Sequence, residues 1–155
     1  MVRLAGIAHN SLSNGPGTRL VVFFQGCPHR CPGCQNPETW DAAGGQETPL
    51  LDIAQYLLEN RPVITGVTLS GGEPFAQARS AAIVALLARE IGLDVWTYTG
   101  YEYEALLEMA EGDPWVKLLL EQTDTLVDGP FLQERTDNPL PYTGSNNQRV
   151  IRLRE

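Results

Sequence analysis

The chain has 155 residues, enough for one compact core and few for two, so the expectation is a single domain over 1–155. Its 43% hydrophobic content is ordinary for a globular protein. Its net charge is -8, with Lys117 the only lysine, which excludes nucleic acid bound through a basic face and an anionic membrane surface as partners. No apolar run is long enough to span a bilayer. Met1 to Asn10 lacks the apolar core and cleavage site of a signal peptide. The expected setting is therefore the cytoplasm, where thiols stay reduced.

Asn14-Gly15-Pro16-Gly17 reads as a turn. Arg19 to Gln25 is nearly continuous in branched and aromatic residues, the pattern of a strand buried on both faces of a parallel sheet. A loop with three cysteines follows at once. Thr48-Pro49 opens a helix, with Thr48 as cap, Pro49 in the first turn and Asp52 at the positive dipole end. Leu50, Ile53 and Leu57 recur on one face of it. Val63 to Leu69 is a second strand, ending in Ser70-Gly71-Gly72-Glu73-Pro74. Ser80 to Ile91 is a second helix, with Ile83, Leu86, Leu87 and Ile91 toward the core and Gly92 as its stop. Asp94 to Tyr98 is a third strand, Glu102 to Ala110 a third helix, and Asp113-Pro114 starts a shorter helix through Leu120. Thr125 to Val127 is a fourth strand. Thr136 to Asn147 is loop by its Asn, Pro and Gly content, and Arg149 to Leu153 is a last strand.

This alternation of strand and helix predicts right-handed βαβ units and a mainly parallel sheet. The chain is too short for an eight-fold barrel. The expected fold is α/β, a partial, open (β/α) barrel. The distinctive stretches all follow predicted strands: the cysteine loop, Gly71-Gly72-Glu73, Thr99-Gly100-Tyr101 and Asp128-Gly129. In parallel α/β folds, ligands bind at those carboxyl ends, so the stretches are expected to form one site.

Cys27, Cys31 and Cys34 are the only cysteines and stand as C-x3-C-x2-C. An odd count in a reduced compartment argues against disulfides. Two metal readings stand side by side. Three thiolates can hold an iron–sulfur cubane with one iron left open, or they can join His29 or His9 in a Cys3His zinc site. The zinc reading would make the chain an interaction module without catalysis. Gly71 and Gly72 let the backbone come close to a ligand, and Glu73 adds a carboxylate suited to an ammonium group. Asp128 is a second carboxylate on the same rim. His9 and His29 read as surface or structural histidines.

The cysteine pattern followed by Gly71-Gly72-Glu73-Pro74 resembles the radical S-adenosylmethionine (SAM) superfamily. Asn14 to Arg19, Gly26-Cys27, Cys31-Pro32-Gly33-Cys34, Thr99-Gly100-Tyr101, Val127-Asp128-Gly129 and Gly144-Ser145-Asn146-Asn147-Gln148 narrow the resemblance to the activating proteins of anaerobic (class III) ribonucleotide reductase. Two departures stand out. Gly33 replaces the aromatic residue usual before the last cysteine, and Pro130 stands where some members carry a basic residue.

The resemblance implies a 4Fe-4S cluster on Cys27, Cys31 and Cys34, with SAM on its open iron. Ser70, Gly71, Gly72 and Glu73 would receive the methionyl end, Gly33 and Gln35 would lie near the adenine, and Thr97, Thr99 and Asp128 would line the ribose and methionine side. An electron from a low-potential donor such as flavodoxin or ferredoxin would cleave SAM. The resulting 5′-deoxyadenosyl radical would take a hydrogen from a glycine of the reductase large subunit. Activators of other glycyl-radical enzymes, and small-molecule enzymes of the carboxy-deazaguanine synthase type, are the alternatives within the superfamily.

Overall fold

The computed structural model describes residues 1–11, 14–34 and 37–154. Among these, the strands are β1 (Val2–Ser11), β2 (Arg19–Phe24), β3 (Gln46–Thr48), β4 (Gly66–Gly71), β5 (Asp94–Tyr98), β6 (Thr125–Asp128) and β7 (Arg149–Arg152). The helices are α1 (Leu50–Asn60), α2 (Ala78–Glu90), α3 (Tyr103–Gly112) and α4 (Pro114–Gln122). All the strands join one open sheet in the order β3-β1-β2-β4-β5-β6-β7. The four central strands β2, β4, β5 and β6 run parallel. β1, β3 and β7 are antiparallel additions at the two sides.

The central strands divide their residues by parity, because successive side chains point to opposite faces. Leu20, Val22, Phe24, Val67, Leu69, Val95 and Leu126 face the helices and join Ile53, Leu57, Leu106 and Leu119 in the core. Each such buried side chain contributes roughly 1.5–3 kcal/mol over exposure. The opposite face carries Arg19, Phe23, Ser70, Trp96 and Tyr98, in register across the strands, and loops cover it. Tyr142 packs edge-on to Trp96 at 5.3 Å, and Tyr98 Oη donates to Tyr142 O at 2.8 Å.

Some expectations need correction. Thr48 is not a helix cap: it pairs with Val2 in the β1–β3 ladder, and Pro49 takes the N-cap position without a side-chain hydrogen bond. The second strand starts at Gly66, not Val63, because Asn60 to Ile64 form a turn in which Asn60 O accepts from Val63 N and Ile64 N. On α2 the buried stripe is Ala78, Ala81, Ala82, Val84, Ala85 and Ala88, while Leu86 is exposed. Small residues let α2 lie close to the sheet and to α4, and of the larger residues Leu87 and Ile91 still pack partly buried against the core. Gly92 does end α2, at φ +85°. Gly92 N bonds Arg89 O and Leu93 N bonds Ala88 O, the pair of bonds that closes a helix through a left-handed glycine.

Among the described residues no helix is long and apolar enough to cross a membrane.

Candidate functional site

The parallel register sets the carboxyl ends of β2, β4 and β5 side by side, and the cysteine loop leaves the first of them. Its stem is fastened by Gly26 N to Thr39 O at 2.6 Å and Cys27 N to Trp40 O at 3.2 Å. Gln25 Nε2 donates to Glu38 O and Asp41 O. The loop then turns tightly, with Cys34 N bonded to Cys31 O at 3.1 Å. Gly33 sits at φ +76°, and a Cβ there would stand 2.8 Å from Gln133 Cδ. That left-handed, crowded position explains a glycine where an aromatic residue is usual.

Cys27, Cys31 and Cys34 are partly exposed and free of disulfides. Burial pushes the Cys27 thiol up, and the backbone N–H groups of His29 and Arg30 oppose this by hydrogen bonding to its sulfur. The nearby charges of Glu73 and Cys31 push it further up. N–H groups aimed at a sulfur, with three thiols on one short loop, suit a thiolate-held cluster. Among the described residues no three His, Cys, Asp or Glu side chains are grouped to hold a single metal ion. A cubane differs, because each thiolate binds its own iron. The histidines offered for zinc are engaged elsewhere: His9 packs edge-on to Tyr56 at 5.5 Å, and His29 Nε2 bonds Glu73.

The glycine pair at the end of β4 is required by the chain's own backbone. Gly71 has φ +103°, and a Cβ there would strike the backbone N and O of Phe24. A Cβ on Gly72 would strike Gly26 O and lie 3.0 Å from Thr39 O. This close crossing brings Glu73 N to Gly26 O at 2.8 Å and ties β4's end to the cysteine loop.

Glu73 is completely buried. Its carboxylate accepts from Phe75 N at 3.1 Å, Thr99 Oγ1 at 2.9 Å, Gly100 N at 2.9 Å and His29 Nε2 at 2.6 Å. Burying an ion costs several kcal/mol, and hydrogen bonds to a charged group return roughly 1.5–3 kcal/mol each. Four donors thus make the buried charge tenable. His29, expected to be a lone histidine, is a member of this network. It also packs edge-on to Tyr101 at 4.5 Å.

The other expected site residues do not all meet at one place, and Thr99 lies just past the end of β5. Thr99 joins Glu73, while Thr97 Oγ1 is bonded to Thr123 Oγ1 on the helix side. Asp128 is 1% exposed. Its carboxylate accepts from Tyr103 N, the first residue of α3, and from Arg149. Ser70 lies on the opposite face, where it lines a cavity of about 600 Å³ together with Phe23, Cys34, Tyr98, Phe131 and Tyr142. Gln35 lies outside the described residues. The sequence reading missed Phe23, Phe131 and Tyr142 as cavity lining. The alternation of Phe23, Ser70 and Tyr98 along their strands was a signal that could have found the first.

Gly144 and Gln148 also reach this cavity. Gln148 Oε1 accepts from Gly144 N and Ser145 N, and its Nε2 donates to Gly129 O. Asn147 Nδ2 donates to Pro130 O, and Ser145 Oγ accepts from Leu132 N. This stretch therefore fastens the loop after β6 beside the cavity.

The 4Fe-4S single cluster domain family matches residues 13–151. The chain is 40% identical over 151 residues to the anaerobic ribonucleoside-triphosphate reductase-activating protein of Vibrio cholerae, covering 90% of this chain and 91% of that one. It is 36% identical over 148 residues to the protein of the same name from Escherichia coli K12, covering 91% and 92%. With that of Enterobacteria phage T4 it shares 33% over 144 residues, covering 88% and 85%. QueE from Escherichia coli, a solved structure, overlays with a TM-score of 0.49 at 18% identity over 64% of this chain and 52% of that one, too loose a likeness to bear on function.

Proposed function

The chain belongs to the anaerobic ribonucleoside-triphosphate reductase-activating proteins and carries their 4Fe-4S domain, and on that premise we propose how its residues work. It is a radical SAM activase that generates the glycyl radical of anaerobic ribonucleotide reductase, its partner, with a 4Fe-4S cluster and SAM as cofactors. The whole chain, 1–155, acts as one cytoplasmic domain whose open sheet is a partial barrel.

Cys27, Cys31 and Cys34 would hold the cluster through their thiolates, leaving room for SAM to bind it. When bound, cluster and SAM together supply one-electron cleavage of the sulfonium and abstraction of a glycine hydrogen from the reductase large subunit. Backbone carbonyls between Ser70 and Gly72 would receive the SAM ammonium. The Glu73 carboxylate has its oxygens occupied by four donors, so it shapes that rim from behind. Ser70, Gly33 and Gln35 border the rest of SAM, and Tyr98 stands in the cavity where Thr97 does not. Thr99 and Asp128 act through the groups they hold: Thr99 anchors Glu73, and Asp128 fixes α3 and β7. A low-potential donor such as flavodoxin or ferredoxin supplies the electron.

The observation that carries this reading is the cavity of about 600 Å³ that opens on both Cys34 and Ser70. It has the size of a cofactor pocket and lies at the strand ends, where parallel α/β folds bind ligands. The test is anaerobic: reconstituted protein, SAM, a reductant and the large subunit, followed by electron paramagnetic resonance. A glycyl doublet on the large subunit is expected. SAM cleavage without that doublet would redirect the search to another glycyl-radical enzyme. A colourless, sulfide-free protein would overturn the cluster.

A further inference from the structure

The cluster loop and the glycine-glutamate rim come from different strands, yet radical chemistry at an open iron requires them to be fixed relative to one another. A misplacement of about 1 Å is enough to cost about 100-fold in rate. The His29 side chain spans this gap. It sits between Cys27 and Cys31 in sequence, and its Nε2–H donates to Glu73 Oε1 at 2.6 Å. The ring rests on Gly100: a Cβ at that glycine would meet the imidazole, 2.8 Å from Cγ. Tyr101 closes over it edge-on at 4.5 Å. One imidazole therefore ties the loop after β2 to the segments that follow β4 and β5, and Glu73 in turn holds Thr99 and Gly100 N. The His29 side chain is 15% exposed and the Glu73 side chain fully buried, so water competes poorly for the bond.

We propose that His29 is a positioning residue of the activase: it latches the cluster loop to Glu73 and so sets where the open iron stands relative to the methionyl end of SAM. The inference rests on the function proposed above. His29 touches no reacting atom, and it acts through Glu73 and the loop. The latch requires a donor at the Nε2 position. Glutamine can place an amide N–H there, and alanine cannot.

The test uses His29→Ala and His29→Gln beside wild type. Metal-free protein is first treated with trypsin, and cutting after Arg30, inside the loop, is timed against cutting after Arg135, which is exposed elsewhere. Faster cutting at Arg30 is expected in His29→Ala and wild-type timing in His29→Gln. The reconstituted, reduced proteins are then compared for the change that SAM causes in the cluster's electron paramagnetic resonance spectrum, and for 5′-deoxyadenosine formation. His29→Ala should show a weakened SAM-dependent spectral change and about 100-fold slower cleavage, with His29→Gln recovering most of both. An alanine variant that matches wild type in the SAM response overturns the role, even if its loop is cut faster. Equal defects in the alanine and glutamine variants overturn it too. If His29→Ala takes up no cluster, trypsin decides: wild-type timing at Arg30 overturns the latch, and faster timing restored by glutamine upholds it. A wild-type protein that neither binds a cluster nor cleaves SAM sinks the proposed function itself, an outcome read in a different arm of the experiment.

Discussion

The guanidinium of Arg19 fills the space in which a side chain at Gly66 would stand. A Cβ at Gly66 would lie 2.6 Å from Arg19 Nη1 and would collide with Asp94 Oδ1. Arg19 is completely buried. Its Nε donates to Thr68 Oγ1 at 2.8 Å, Nη1 to Pro16 O at 2.9 Å and Nη2 to Val67 O at 3.0 Å, and Nη2 pairs with Asp94 Oδ1 at 2.8 Å. Gly66→Ala is therefore expected to destabilise the fold by about 1–3 kcal/mol, as overpacking does. Gly112→Ala should have the opposite sign. It meets nothing within 4 Å and does not have a positive φ, so alanine fits its backbone and stabilises by about 0.4–1 kcal/mol through the lower entropy of the unfolded chain. Urea unfolding midpoints of the two variants should move in opposite directions from wild type.

Gly72→Ala is expected to damage folding and the site together. The added methyl would press on Gly26 O and Thr39 O, backbone atoms that cannot swing aside. Loss of the Glu73 N to Gly26 O bond should lower the thermal midpoint of the metal-free protein and lower iron content after reconstitution. A variant with wild-type stability that loses only SAM affinity would instead mean that the glycine makes room for the ligand.

Cys31→Ala is expected to abolish 5′-deoxyadenosine formation with dithionite. Three cysteines are all the chain has, so no thiolate remains to replace the lost ligand. Iron and sulfide analysis beside the activity assay should show cluster loss, and wild-type turnover would remove the loop from the cluster.

Glu104→Gln tests an acid-sensitive tie. Hydrogen bonding from Arg149 holds the Glu104 carboxyl below its ordinary value of 4.5. A carboxyl lowered on folding adds stability above its unfolded pKa and loses it as pH falls through the folded one. The wild-type advantage over Glu104→Gln should be full at about pH 7 and smaller at about pH 3, since it is lost as pH falls through the lowered folded value. The pair is exposed, so added salt should also reduce it. Urea midpoints at the two pH values, with and without salt, measure it.

The four parallel strands were legible in the sequence because each is a short apolar run with turn residues behind it. β5 was read with the bounds it has. β1 was missed: Val2 and Leu4 alternate with Arg3 and Ala5, but register shifts after Leu4 and Ala8 break the pattern. β3 has three residues, too few for periodicity. On α2 the larger side chains were only half right: Leu87 and Ile91 pack partly buried against the core, Leu86 is exposed, and the fully buried alanine stripe was passed over because alanine carries little apolar signal. The site was legible as a place, because the motifs follow strands. Its wiring was not. Nothing local to His29 indicates that Glu73, 44 residues away, is its partner, and nothing local to Asp128 points to Arg149. Such pairings are made by sheet order, which no single stretch encodes.

An open sheet has two free edges, and unpaired edges invite strands of other molecules to add on. Here both edges are poor templates for aggregation. β3 is only three residues long and carries exposed Glu47, and β7 is four residues long with exposed Arg149 and Arg152. Short, charged borders let the sheet stay unclosed at low risk of self-association. Copies of the protein can thus be crowded against one another without fusing edge to edge.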